Sequence, residues 1–235
     1  MLPSNKIIVA LDFDCMLQVQ QLVTDLGDLV DTYKVGHQLF TMAGPDVIRY
    51  LKQQNKKVFL DLKLLEITNS VSKAVHNAGQ LGVHMISVHA TGGAAMLQSA
   101  VAASSHYPGL KILALTVVTG LEDCDLSEIG FAYNSADLTL RLAKLAHSSG
   151  CHGIICSPLD CRKLRSVVGE QLLLVTPGIR PAGSQEQDQK RVGTPAQAII
   201  SGASVLVIGR PITQAAQPKV IVARIISSLA NALEN

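Results

Sequence analysis

Eight short apolar runs rich in β-branched residues recur along the chain, at 7–13, 32–36, 58–64, 85–91, 112–118, 153–157, 172–178 and 204–209. Between most of them apolar residues return with helical spacing, as at 46–54, 70–81, 94–104 and 136–149. A glycine often separates a helix from the next run (Gly82, Gly109, Gly150, Gly202), where a helix end favours a residue free to turn left-handed. No hairpin signal joins neighbouring runs. Strands alternating with helices need crossover connections, and crossovers make parallel sheets. The pattern predicts an α/β fold, a single (β/α)8 TIM barrel filling one domain, 1–235. An open doubly wound sheet would gather its polar residues near one switch point. Here they collect at the C-terminal ends of nearly all the runs, where a barrel builds its site.

Composition agrees. Hydrophobic residues make up 48% of the chain and charged residues 16%, enough apolar material for a large core and too much for disorder. Aromatics are only 3%, so Val, Ile, Leu and Ala must fill the sheet. A formal charge of +2 argues against nucleic acid or an anionic membrane as partner. Lys56-Lys57 reads as a solvated turn before a strand. Cysteines 15, 124, 151, 156 and 161 are odd in number and match no zinc spacing, which suits reduced thiols in the cytoplasm. The N-terminus has no leader pattern, and no run is long enough to span a membrane. The Gly-, Pro- and polar-rich stretch 180–193 reads as a long surface loop, a candidate lid.

Two charge patterns carry chemistry. In Phe59-Leu60-Asp61-Leu62-Lys63-Leu64, strand alternation puts Phe59, Asp61 and Lys63 on one face and the leucines on the other. With the leucines under helices, Asp61 and Lys63 look into the barrel, either as a structural ion pair or as working groups. Lys34 and Asp12 end the two preceding strands. Asp14 reads as the N-cap of the next helix. Late in the chain, Ile208-Gly209-Arg210-Pro211 and Thr176-Pro177-Gly178-Ile179-Arg180 end strands 8 and 7, where barrels commonly hold phosphate. Gly209 would let backbone N–H groups reach an anion, and each arginine adds a fork of donors. His89 is either a hydrogen-bonded packing residue or a catalytic one. Thr119 ends strand 5 and could offer a hydroxyl.

Taken together, Ile8–Phe13, Lys34-Val35-Gly36, Phe59-Leu60-Asp61-Leu62-Lys63, Val88-His89-Ala90-Thr91-Gly92-Gly93, Val175–Arg180, Asp188-Gln189-Lys190-Arg191 and Ile208-Gly209-Arg210-Pro211-Ile212-Thr213 resemble, in order and spacing, the bacterial orotidine 5′-phosphate decarboxylase family. The match spans essentially the whole chain. The resemblance implies a homodimeric barrel that makes UMP without cofactor or metal, with no nucleic-acid or membrane partner. It implies that Lys34, Asp61 and Lys63 surround the substrate carboxylate, with Glu66 and Ser70 reaching the neighbouring subunit's site. Asp12 would hold the ribose and Thr119 the pyrimidine. Arg180, Gln189, Gly209 and Arg210 would hold the phosphate.

One segment departs from the family pattern. Asp-x-Lys-x-x-Asp becomes Asp61-Leu62-Lys63-Leu64-Leu65-Glu66, with Leu65 in place of the usual His, Thr68 in place of Pro, and Ser70 in place of Thr. Glu66 keeps the charge and adds a methylene, for which a backbone shift near Thr68 could compensate. The metal-dependent sugar-phosphate enzymes of the same superfamily carry Glu two residues before the first Asp. Phe59 stands there and cannot ligate a metal. A non-catalytic nucleotide-binding paralogue is the alternative from another class.

Overall fold

The computed structural model describes residues 3–181 and 192–234. Its order is β1 (Ile7–Ala10), α1 (Met16–Leu26), β2 (Thr32–Gly36), α2 (His37–Ala43), α3 (Pro45–Gln53), β3 (Lys57–Leu64), α4 (Thr68–Gln80), β4 (Met85–His89), α5 (Gly93–Ser104) and β5 (Lys111–Leu115). It continues with α6 (Asp123–Glu128), α7 (Ser135–Ser148), β6 (Gly153–Ile155), α8 (Cys161–Val168), β7 (Leu173–Thr176), α9 (Pro195–Ile200), β8 (Val205–Ile208), α10 (Arg210–Thr213) and α11 (Pro218–Glu234). The eight strands are parallel, pair in sequence order and close through β1 and β8 into a barrel. The barrel reading of the sequence is correct.

Strand alternation divides the core in two. Inside the barrel, Ile8, Ala10, Phe59, Leu113, Leu115, Ile155, Val175 and Val207 pack together. Outside it, the other strand face meets the apolar stripes of the helices, through residues such as Val9, Tyr33, Val35, Leu60, Val88 and Ile208. Each strand is covered on both faces, which is why the runs are almost continuously apolar.

Most runs overshoot the strands by one to three residues at their C-terminal ends: β1 stops at Ala10, β5 at Leu115 and β7 at Thr176. Residues such as Val117 stay buried after leaving the ladder, because they pack in the outer core beneath the helices. Apolar character alone cannot mark where pairing stops. Two further expectations fail. Asp14 does not cap α1; its carboxylate accepts from Gln38 Nε2 at 2.6 Å, and Cys15 holds the cap position without a side-chain cap bond. Lys56 is not solvated. It is buried, and its ammonium donates to the Gly27 carbonyl at 2.7 Å, an acceptor supplied only by the fold.

The N-terminal end of the barrel is held by side chains. Just ahead of β4, β6 and β8, a residue accepts the N–H of a residue near the start of the preceding strand. His84 Nδ1 accepts from Val58 at 3.4 Å, His152 Nδ1 from Ile112 at 3.0 Å, and Ser204 Oγ from Leu174 at 3.0 Å. Arg165 braces the same end, donating to the carbonyls of Gly169, Leu172 and Gly202 and to Ser204 Oγ. Burial, and then the nearby Lys111 charge, hold the His152 imidazole below its ordinary 6.5.

This linkage has a definite sign. A depressed folded-state pKa means the neutral ring is favoured in the fold, so the contribution is complete above the ordinary value and is lost as pH falls below it. His152→Gln, which removes the titrating group, should therefore shrink the drop in urea midpoint between about pH 7.5 and 5.5. An identical drop in both proteins would show that His152 contributes nothing to the pH response.

Candidate active site

The C-terminal end of the barrel brings four charged side chains together from its first three strands. Parallel register does this: Ala10 pairs with Lys34, and Gly36 with Asp61, so Lys34 and Asp61 sit two positions apart on adjoining strands and share the inner face. Lys34 Nζ lies 3.0 Å from Asp12 Oδ1 and 3.8 Å from Asp61 Oδ2. Lys63 Nζ lies 2.9 Å from the same Asp61 oxygen.

Asp61 is the centre of this array, with its side chain only 10% exposed. An unpaired carboxylate there would cost several kcal/mol and would take up a proton instead. Burial does push its pKa up. The Lys34 and Lys63 charges, with hydrogen bonds from Lys63 and Ser87, outweigh burial and hold the carboxyl below the usual range. Asp61 is therefore an anion at neutral pH.

Two contributors escaped the sequence reading. Ser87 on β4 is fully buried, and its hydroxyl donates to Asp61 Oδ1 at 2.8 Å. Its neighbours in sequence gave no sign of this, because a serine in an apolar strand carries no local signal. Gly36 is the other. A Cβ there would stand 2.9 Å from Lys34 Nζ and 3.4 Å from Asp12 Oδ1, so the glycine leaves the space that the lysine head occupies. Its place right after Lys34-Val35 was the available hint.

The array forms one end of a cavity of ≈ 290 Å³ at the barrel mouth. Phe59, Leu115, Ile155 and Val207 supply its apolar inner wall, and Val118, Thr119 and Pro177 its side. Gly178, Arg180, Gly209 and Arg210 form the other end. Arg180 is largely buried, and one of its nitrogens donates to the Ile179 carbonyl at 3.0 Å. Burial, and then the neighbouring Arg210 charge, lower its pKa, but a guanidinium stays charged regardless. Two like charges at one end of a cavity favour an anion there. Gly209 precedes the short α10, whose Ile212 and Thr213 N–H groups donate back to its carbonyl.

Two expected residues lie elsewhere. Glu66 and Ser70 border a separate groove with Leu62, Lys63, Leu64 and Leu65. Glu66 is exposed, its carboxylate accepts from the Ile67 N–H at 2.8 Å, and it forms no ion pair among the described residues. Gln189, with most of the candidate lid, lies outside the described residues. His89 is hydrogen-bonded within its own strand end and is not among the residues lining the cavity. Its Nδ1 is 2.6 Å from Thr91 Oγ1, and burial and then Lys63 lower its pKa, keeping the ring neutral. Among the described residues no three His, Cys, Asp or Glu side chains gather to hold a metal ion, and the five cysteines are free. Phe59, at the position where a metal-dependent relative would carry Glu, is buried in the inner core. No helix among the described residues is long and apolar enough to cross a membrane.

Residues 5–225 match the model of the family described as "Orotidine 5'-phosphate decarboxylase / HUMPS family". The orotidine 5′-phosphate decarboxylase of Vibrio cholerae serotype O1 is 45% identical over 226 residues, covering 95% of this chain and 98% of that protein. That of Mannheimia succiniciproducens is 42% identical over 230 residues, covering 97% and 98%. The crystal structure of orotidine 5′-phosphate decarboxylase from Lactobacillus acidophilus superposes with a TM-score of 0.85 at 40% identity, covering 95% and 98%.

Gly36→Ala tests the geometry of the charged end. The clash is with the far end of a flexible side chain, so thermal stability should change little. Lys34 should swing out, and the Asp61 carboxyl, having lost one cation, should titrate at higher pH by carbon-13 NMR. An unmoved Asp61 titration would mean that Lys34 does not depend on the missing Cβ.

Proposed function

Since the chain belongs to the orotidine 5′-phosphate decarboxylase / HUMPS family, we propose that it decarboxylates orotidine 5′-phosphate to UMP in pyrimidine biosynthesis, as a carbon–carbon lyase. The observation that carries this is the two-ended cavity: an anionic Asp61 between two lysines at one end, two arginines at the other. The substrate has the same two ends, a carboxylate on C6 of the pyrimidine and a phosphate on the ribose.

In this reading the phosphate binds at Arg180, Arg210 and the backbone of Gly209, with Gln189 closing over it. Asp12 takes the ribose and Thr119 the pyrimidine. The substrate carboxylate then lies against Asp61. Two anions in contact repel, and the repulsion disappears as the bond from C6 to the carboxylate breaks and carbon dioxide leaves. The electron pair stays on C6. Lys63, ion-paired with Asp61, stabilises that carbanion and delivers an Nζ proton to C6. Lys34 keeps Asp61 ionised and bridges it to Asp12. Phosphate binding is remote from the reacting bond, so its energy can support closure and the transition state. Neither a cofactor nor a metal takes part in this scheme.

The site is completed by a second copy of the chain. Glu66 turns onto its own backbone within one chain, and exposed Leu65 and Ile67 flank it (56% and 68%). A homodimer that covers these two residues would bring Glu66 and Ser70 to the neighbouring Lys63. The whole chain, 1–235, then acts as one barrel domain per subunit, in the cytoplasm.

Two experiments test this. Purified protein in EDTA should consume orotidine 5′-phosphate, followed by ultraviolet absorbance, and Lys63→Ala should abolish turnover. No turnover, with tight 6-azaUMP binding, would instead favour a non-catalytic nucleotide-binding protein. Mixing Lys63→Ala with Glu66→Ala subunits should restore about a quarter of wild-type activity, because half of a twofold dimer population is mixed and each mixed dimer has one intact site. No recovery would mean that Glu66 does not act across subunits.

A further inference from the structure

The reactive strand departs from regular pairing where its chemistry sits. Leu60 pairs with Ile86 and Leu64 with Val88, so Asp61, Leu62 and Lys63 of β3 face the single residue Ser87 of β4. The extra residues are taken up by a left-handed Lys63, with φ of +48°. Outside glycine this conformation is uncommon and strained. It also removes the Lys63 N–H from the ladder, and a buried donor without a partner would add a further cost.

Ser87 answers both problems. Its Oγ accepts the Lys63 N–H at 2.7 Å and donates its own proton to Asp61 Oδ1 at 2.8 Å. The hydroxyl thus has one donor bond and one acceptor bond, tying the backbone of one charged residue to the side chain of the other. With Oδ1 engaged by Ser87, Asp61 presents Oδ2 to both lysines. Ser87 is fully buried and is absent from the cavity wall, so it cannot touch a ligand.

We infer that Ser87 is a positioning residue: it locks the β3 bulge and the Asp61 carboxylate together, so that the Lys63 ammonium and the Asp61 anion are held in one relative geometry before substrate binds. Alanine at this position leaves the Lys63 N–H unpartnered and lets the carboxylate rotate. The remote arginine end is untouched. The effect should therefore fall on the chemical step rather than on binding.

The kinetic part of this inference rests on the decarboxylase reading; the structural part does not. Ser87→Ala should lower kcat for orotidine 5′-phosphate on the order of 10- to 100-fold with little change in KM. The Asp61 titration, followed by carbon-13 NMR, should move to higher pH, because the ionised form loses a donor, and the acid limb of kcat should move with it. Ser87→Thr, which keeps the hydroxyl, should recover both. If the wild-type protein shows no turnover, the decarboxylase reading fails, and the Asp61 titration alone decides the role of Ser87. An Asp61 midpoint unmoved by Ser87→Ala overturns the inference. So does an unchanged kcat in a turnover-competent protein, or a lowered kcat that Ser87→Thr leaves unrepaired while its melting temperature matches wild type.

Discussion

A carboxylate buried in an apolar barrel stays ionised only if cations and donors surround it, and the arrangement around Asp61 meets that demand from three directions. Lys34 comes from β2, Lys63 from the same strand as Asp61, and the Ser87 hydroxyl from β4. Each depends on the others. Without the two ammonium groups Asp61 would take up a proton. Without Asp61 the lysines would crowd like charges into one end of a small cavity. The β1–β2–β3–β4 register therefore serves more than stability, because a shift of one residue in any of these strands would turn a member of the array into the outer core.

The barrel keeps its two ends distinct. At the N-terminal end His84, His152 and Ser204 accept strand-start N–H groups and Arg165 donates to loop carbonyls, with every partner inside the fold. At the C-terminal end the polar groups include like charges held close, Arg180 beside Arg210, and a left-handed lysine. Such an arrangement gains from an anionic ligand, whereas the opposite end is complete without one. The inner core of Phe59, Leu113, Leu115, Ile155 and Val175 separates the two ends, and Phe59, Leu115 and Ile155 form the floor of the cavity.

The β3–α4 segment looks unfinished in a single chain. Leu65 and Ile67 are exposed apolar residues on either side of an acid that has folded back onto its own backbone. Glutamate can make this local bond because its extra methylene reaches the next N–H. On the proposed dimer, the same length would have to be accommodated at the neighbouring lysine. In that dimer the segment would join two matters, subunit contact and a further charge beside the array, within a few residues.

Much of the molecule could be read directly from the chain. Period-two and period-3.6 apolar patterns identify the eight strands and the main helices, because burial on a defined face is a local property of spacing. The inward face of Asp61 follows from alternation, and the arginine end from the residues closing β7 and β8. Contacts between residues far apart in sequence were not legible. Asp14 pairing with Gln38, Lys56 reaching Gly27, Gly36 clearing room for Lys34, and Ser87 bridging Asp61 to the Lys63 backbone all depend on register and approach between separate elements. So does the left-handed turn at Lys63, which a run of alternating residues conceals. Sequence by itself determined which residues face the barrel interior, since side-chain direction follows from backbone period. Only the tertiary structure decided which of those residues meet, since hydrogen bonds and ion pairs act over about 3 Å and that spacing is set by how strands align.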